Sequence, residues 1–171
     1  MPLNSHLYIN IILFILFLSS AITDMRNQKI YNVQTYTAIL MGLCLNGIHF
    51  ENNGFMFSLT GLMVGFVLLF PFYLCGGMGA GDVKYLAAIG ALKGTCFVLE
   101  TMYYSALIGG CMALSLIVWQ GCFWETIKNS AAYIFHPIKT YQKDISNPQY
   151  LPFGVAISIG CALTLFGGMI S

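Results

Sequence analysis

Two aspartates are the residues of this chain best suited to chemistry. Asp24 ends the first apolar run, in Ala21-Ile22-Thr23-Asp24-Met25-Arg26. Asp82 closes a glycine-rich stretch, Gly76-Gly77-Met78-Gly79-Ala80-Gly81-Asp82-Val83-Lys84. Two carboxyl groups brought together cannot both ionise readily, so such a pair holds one proton between them. The charged member can take a proton from water as that water attacks a carbonyl carbon. The protonated member can donate to the carbonyl oxygen. This is amide hydrolysis, and it calls for no metal and no organic cofactor. Taken alone, Asp82 also reads as a helix N-cap after a flexible turn.

The residues around the two acids have plausible supporting roles. Gly76, Gly77, Gly79 and Gly81 are poor helix interior, because glycine loses the most backbone freedom on ordering. They break one apolar segment from the next, and Gly79 and Gly81 leave room for a substrate backbone beside Asp82. Arg26 and Lys29 read as topology determinants that could also tune Asp24. Lys84 could favour the ionised form of one carboxyl, or simply snorkel to the interface. Other engines are missing from the sequence. It has no G-x-S-x-G elbow, no H-E-x-x-H helix, no P-loop and no dinucleotide fingerprint. Cys44, Cys75, Cys96, Cys111, Cys122 and Cys161 form no C-x-x-C pair and read as small hydrophobes. His6, His49 and His136 form no ligand cluster.

The elements that must position these acids are membrane segments. Of the 171 residues, 58% are hydrophobic and 8% charged. Soluble domains average about 25% charged, so a water-facing surface cannot be built here and most of the surface must face lipid. A net charge of +1 also argues against nucleic acid as a partner. The expectation is an all-α, polytopic fold in one membrane domain over residues 1–171. Apolar runs predict six segments: 7–22, 33–48, 55–74, 83–98, 102–119 and 151–170. The fourth, which contains Lys84 and Lys93, reads as short, tilted or partly re-entrant. The first run lacks a basic flank and reads as a retained span rather than a signal peptide.

Orientation follows from the positive residues. With the N-terminus outside, Arg26, Lys29, Lys84, Lys128, Lys139 and Lys143 fall inside and only Lys93 lies toward the outside. That puts Asp24 and Asp82 at the same, inner, ends of their segments. The 121–150 connection carries Phe123, Trp124, Ile127, Ala131, Ile134 and Phe135 at helical spacing. It reads either as a helix lying in the inner interface or as a plain solvated loop.

Gly79-Ala80-Gly81-Asp82 is a G-x-G-D sequence, and with Val83-Lys84 it closely resembles the second aspartate motif of the prepilin peptidases, the type IV leader peptidases. Their first motif is an Asp after a transmembrane helix, an Arg two residues on, then Ile-Pro-Asn. Here it stands as Asp24, Arg26 and Ile30-Tyr31-Asn32, with Tyr31 in place of the usual proline. Pro152-Phe153-Gly154 looks like the family's closing element. The resemblance implies that Asp24 and Asp82 are a catalytic pair, with Gly79, Gly81, Lys84, Arg26 and Asn32 shaping the site. It implies a partner too: a prepilin or pseudopilin precursor, a single-pass helix whose short basic leader is cut at the cytoplasmic face, usually after a glycine. The location implied is a bacterial inner membrane.

Larger relatives carry a cytoplasmic region with paired C-x-x-C motifs and methylate the new N-terminus. This sequence looks like the short, peptidase-only type of Tad/Flp pilus systems, with no methyltransferase activity and no cofactor expected. Two other readings stay open at this point. One is a presenilin-like intramembrane protease, which also uses G-x-G-D but usually sets a Tyr-Asp within a helix. The other is a non-catalytic scaffold or transporter, for which Asp24 and Asp82 would be replaceable.

Overall fold

The computed structural model describes residues 3–27, 30–49, 53–75, 78–119 and 153–170. Within them the chain is all-helical: α1 (Leu3–Asn27), α2 (Asn32–His49), α3 (Gly54–Leu74), α4 (Ala80–Lys93), α5 (Thr95–Trp119) and α6 (Phe153–Ile170). Three stretches, Tyr8–Asn27, Gly54–Leu74 and Thr95–Ser115, are long and apolar enough to cross a membrane. The 121–150 connection lies outside the described residues.

The expected boundaries need one revision. The fourth segment does not run to residue 98. It begins at Ala80 and stops at Lys93, and α5 starts at Thr95. Gly94 makes the break with φ +82, a left-handed conformation that glycine adopts at little cost. A side chain at Gly94 would also run into the Phe57 ring. At 14 residues, α4 is only about 21 Å long, short of a hydrocarbon core about 30 Å thick.

This short helix is the centre of the molecule. From Val83 to Leu92 every residue except Lys84 is buried, on all sides of the helix. A helix apolar all round has no solvent face and must be enclosed. Its neighbours enclose it with stripes of small residues. The buried stripe of α3 is Gly54, Ser58, Gly61, Gly65 and Leu69. That of α2 is Thr35, Ala38, Gly42 and Asn46, and that of α5 includes Val98, Thr101, Ser105 and Gly109. The bulky residues point the other way. Phe14, Ile15, Met63, Val67, Leu107 and Phe166 are all exposed. Small residues inside and large ones outside is the pattern of helices packed in lipid, where close backbone approach is the main source of association.

The closest approaches are backbone against backbone. A Cβ on Gly61 would collide with the Gly90 carbonyl, and one on Gly90 with the Gly61 carbonyl. A Cβ on Gly65 would lie 2.6 Å from the Leu86 carbonyl oxygen, and one on Gly42 2.7 Å from that of Ala91. The end of α4 is satisfied from the side. Ser58 Oγ donates to the Ala91 carbonyl at 2.8 Å, and Asn46 Nδ2 donates to the Ala91 and Leu92 carbonyls at 3.1 and 3.3 Å. The last carbonyls of a helix have no partner within it, and in an apolar interior such groups are costly to leave unpaired.

Gly61→Val is therefore expected to lower the thermal unfolding midpoint of the detergent-solubilised protein, by the equivalent of roughly 3 kcal/mol. Gly47→Ala meets nothing within 4 Å and should not lower it. An unshifted midpoint in Gly61→Val would contradict the α3–α4 packing.

Candidate active site

The first acid is delivered by helical periodicity. Among the described side chains of α1, the buried ones are Ile9, Leu13, Leu16, Ser20 and Asp24, and they lie on one stripe. The stripe that packs α1 into the bundle thus turns Asp24 inward in the last turn, where it is only 6% exposed. Met25 and Arg26 face outward.

The second acid is delivered by the start of α4. Gly79 is the N-cap, in an extended conformation, and makes no side-chain capping bond. Asp82 lies inside the first turn and is not the cap itself. Its backbone N–H donates to the Gly79 carbonyl at 3.2 Å. Its side chain folds toward Gly79, where a Cβ would lie 3.6 Å from Oδ2. Burial, and next the nearby Asp24, push the Asp82 carboxyl up from 3.8 to about 7, against the pull of a hydrogen bond from the Gly79 backbone.

The two acids line one cavity of about 400 Å³, with Ile30, Tyr31, Asn32, Gly79, Ala80 and Gly81. Its walls are the two sequence motifs pressed together. A Cβ on Gly81 would lie 3.2 Å from the Ile30 Cβ, so glycine there lets the start of α4 approach the α1–α2 turn. Lys84 Nζ donates to Asn32 Oδ1 at 2.9 Å and stands 5.3 Å over the Tyr36 ring. Lys84 therefore clamps α4 to α2, and its bond goes to an amide rather than to a carboxyl. Tyr31, the residue in place of proline, accepts a hydrogen bond at its hydroxyl from Asn27 Nδ2 at 3.1 Å.

Of the residues picked out from sequence, Asp24, Asp82, Gly79, Gly81 and Asn32 come together around this cavity. Lys84 stands behind Asn32. Arg26 is exposed and does not line the cavity. Gly76, Gly77 and Lys29 lie outside the described residues.

With this geometry in hand, comparison with known families decides the class. The type IV leader peptidase family matches residues 11–114, more than half of the chain. The chain belongs to the type IV leader peptidase family. No curated protein and no solved structure matches it. The matched region of this leader peptidase contains both aspartates and every cavity-lining residue. Membership makes it a membrane peptidase of the leader-peptidase kind.

Sequence reasoning missed the contribution of α6. The Val155 backbone N–H donates to Asp24 Oδ2 at 3.1 Å. Tyr85 Oη and Ser158 Oγ lie 3.0 Å apart in the core below. Nothing in the composition of the Pro152-Phe153-Gly154 element announces a backbone donor.

Carboxyl ¹³C titration of Asp82 in detergent should give a midpoint near 7. Removing the neighbouring charge with Asp24→Asn should move that midpoint down. A midpoint near 4 in the wild type, or no movement in the variant, would show that the two acids do not share a site.

Proposed function

We propose that this leader peptidase is an aspartic endopeptidase that removes the short leader of a pilin-like precursor. Asp24 and Asp82 are its catalytic pair. The substrate is a single-pass apolar helix lying alongside the enzyme, with its scissile bond at the membrane edge. The observation that carries this reading is the shared cavity. Two acids from distant parts of the chain meet there, one of them retaining a proton to about pH 7.

The chemistry follows from one shared proton. The charged carboxylate takes a proton from water as the new C–O bond forms. The other carboxyl gives its proton to the carbonyl oxygen. On collapse of the tetrahedral intermediate the C–N bond breaks and the leaving amine is protonated. The pair returns to its starting state with one proton. Glycine at 79 and 81 keeps side chains off the cavity wall, so an extended substrate backbone can reach Asp82.

The distribution of positive residues supports a cytoplasmic site in a bacterial inner membrane with the N-terminus outside. Arg26 and Lys84 stand at the same end as the two acids, as that orientation requires.

Co-expression with a candidate pilin precursor tests the proposal through the mobility shift on leader removal. Asp24→Asn and Asp82→Asn should each cut the rate by at least about 10²-fold while the protein still inserts. Cleavage by the wild type should fall as pH rises through about 7, where the raised Asp82 carboxyl gives up the proton the reaction needs. Full processing by either variant would refute the assignment.

A further inference from the structure

The family match ends at residue 114, yet the helix that bonds to Asp24 begins at Phe153. The first N–H groups of a helix have no partner within it, and they carry the partial positive end of the helix dipole. In α6 one of these, the Val155 N–H, is spent on Asp24 Oδ2. Gly154 is what allows the approach. A Cβ there would lie 2.7 Å from Asp24 Oδ2 and 3.0 Å from Cγ, with the Ile30 Cδ1 also at 3.0 Å.

The start of α6 is tied in turn to the helix of the other acid. Ser158 Oγ donates to the Gly154 carbonyl at 2.8 Å. With that proton committed, Tyr85 is the donor in its 3.0 Å bond to Ser158. Tyr85 is fully buried and lies three residues after Asp82 on α4, on the same side of the helix. One hydrogen-bonded path thus runs from the Asp82 helix through Tyr85 and Ser158 to the turn that holds Asp24.

We propose that the first turn of α6 is a third part of the catalytic centre: across Gly154, the Val155 N–H holds Asp24 as the charged member of the pair and leaves Asp82 as the proton donor. This rests on the acid-pair reading above. Gly154 and Val155 are positioning residues that act through Asp24. Among the described residues, the titratable groups near Asp24 are Asp82 and Tyr85 from α4, with Tyr31, just before α2, lining the same cavity. Lys84 is committed to Asn32, and Arg26 on α1 is exposed. The first titratable side chain of α6 is Cys161, two turns further on. In the reaction, Asp24 takes the proton of the attacking water while Asp82 protonates the carbonyl oxygen. When the C–N bond breaks, Asp24 returns its proton to the amine, and Asp82 recovers one from a hydroxyl of the intermediate.

The test uses the full-length enzyme in proteoliposomes with a pilin precursor, comparing wild type, Gly154→Ala, Val155→Pro and Gly167→Ala. Val155→Pro removes the donor alone, since that N–H has no partner within the helix and proline is accepted in a first turn. Gly167→Ala on the same helix meets nothing within 4 Å and serves as the control. Gly154→Ala and Val155→Pro should each lower kcat by about 10²-fold with little change in KM. Each should also move the acid limb of the pH profile upward, because each weakens the backbone hydrogen bonding that favours the charged form of Asp24. Gly167→Ala should match the wild type. Wild-type kcat in both variants, or a kcat loss with an unmoved acid limb, would overturn the proposal. If Gly154→Ala does not insert, Val155→Pro decides alone. A wild type that never cleaves counts against the acid pair itself. A wild type that cleaves, is silenced by both Asp→Asn changes and ignores these two variants counts only against the role of α6.

Discussion

A helix too short to cross the bilayer can sit inside a membrane protein only if others enclose it and satisfy its ends. That constraint governs this molecule. The 14-residue α4 is wrapped by the remaining helices, and glycines on α2 and α3 let their backbones come into contact with its own. Asn46 and Ser58 supply the donors that its last carbonyls need. The bulky side chains displaced from these contacts face lipid, where they cost nothing. The packing of the described helices is therefore set less by large residues in the core than by where large residues are left out.

The site inherits its geometry from this arrangement. The depth of α4 fixes the depth of Asp82, because the acid lies in its first turn. The buried stripe of α1 carries Asp24 to the same level. The contact of Gly81 with Ile30 and the bond from Lys84 to Asn32 then lock the two motifs across the cavity. None of these contacts neutralises a carboxyl by ion pairing. Burial and mutual repulsion are left to act on Asp82, which keeps its proton in the neutral range. A lysine bound to an acid at this point would have quenched the acid pair.

Much of this is legible in the sequence. The scarcity of charge and the apolar runs specify an all-helical membrane fold, and the two aspartate motifs specify the family. The buried face of α1 was not legible, because the helix is apolar all round and only its neighbours choose the stripe from Ile9 to Asp24. Other features were hidden for physical reasons. The end of α4 at Lys93 depends on a single glycine inside an apolar stretch that hydropathy alone reads as continuous. The role of Lys84 was open because charge attraction favours a carboxyl, whereas the packing of α2 offers it Asn32 and the Tyr36 ring. The donor to Asp24 is a backbone N–H, and backbone groups leave no mark in side-chain patterns.

The central claim is that Asp24 and Asp82 face one another across a single cavity at one edge of the bilayer. It is tested most directly with Asp24→Cys and Asp82→Cys combined in a chain whose six native cysteines are replaced. Treatment of intact membranes with a short bifunctional thiol reagent should join the two helices efficiently. The same reagent should leave a control with Asp24→Cys and Ile48→Cys, at opposite ends of the bundle, unlinked. Failure to link positions 24 and 82, with each thiol labelled from a different side of the membrane, would contradict the account.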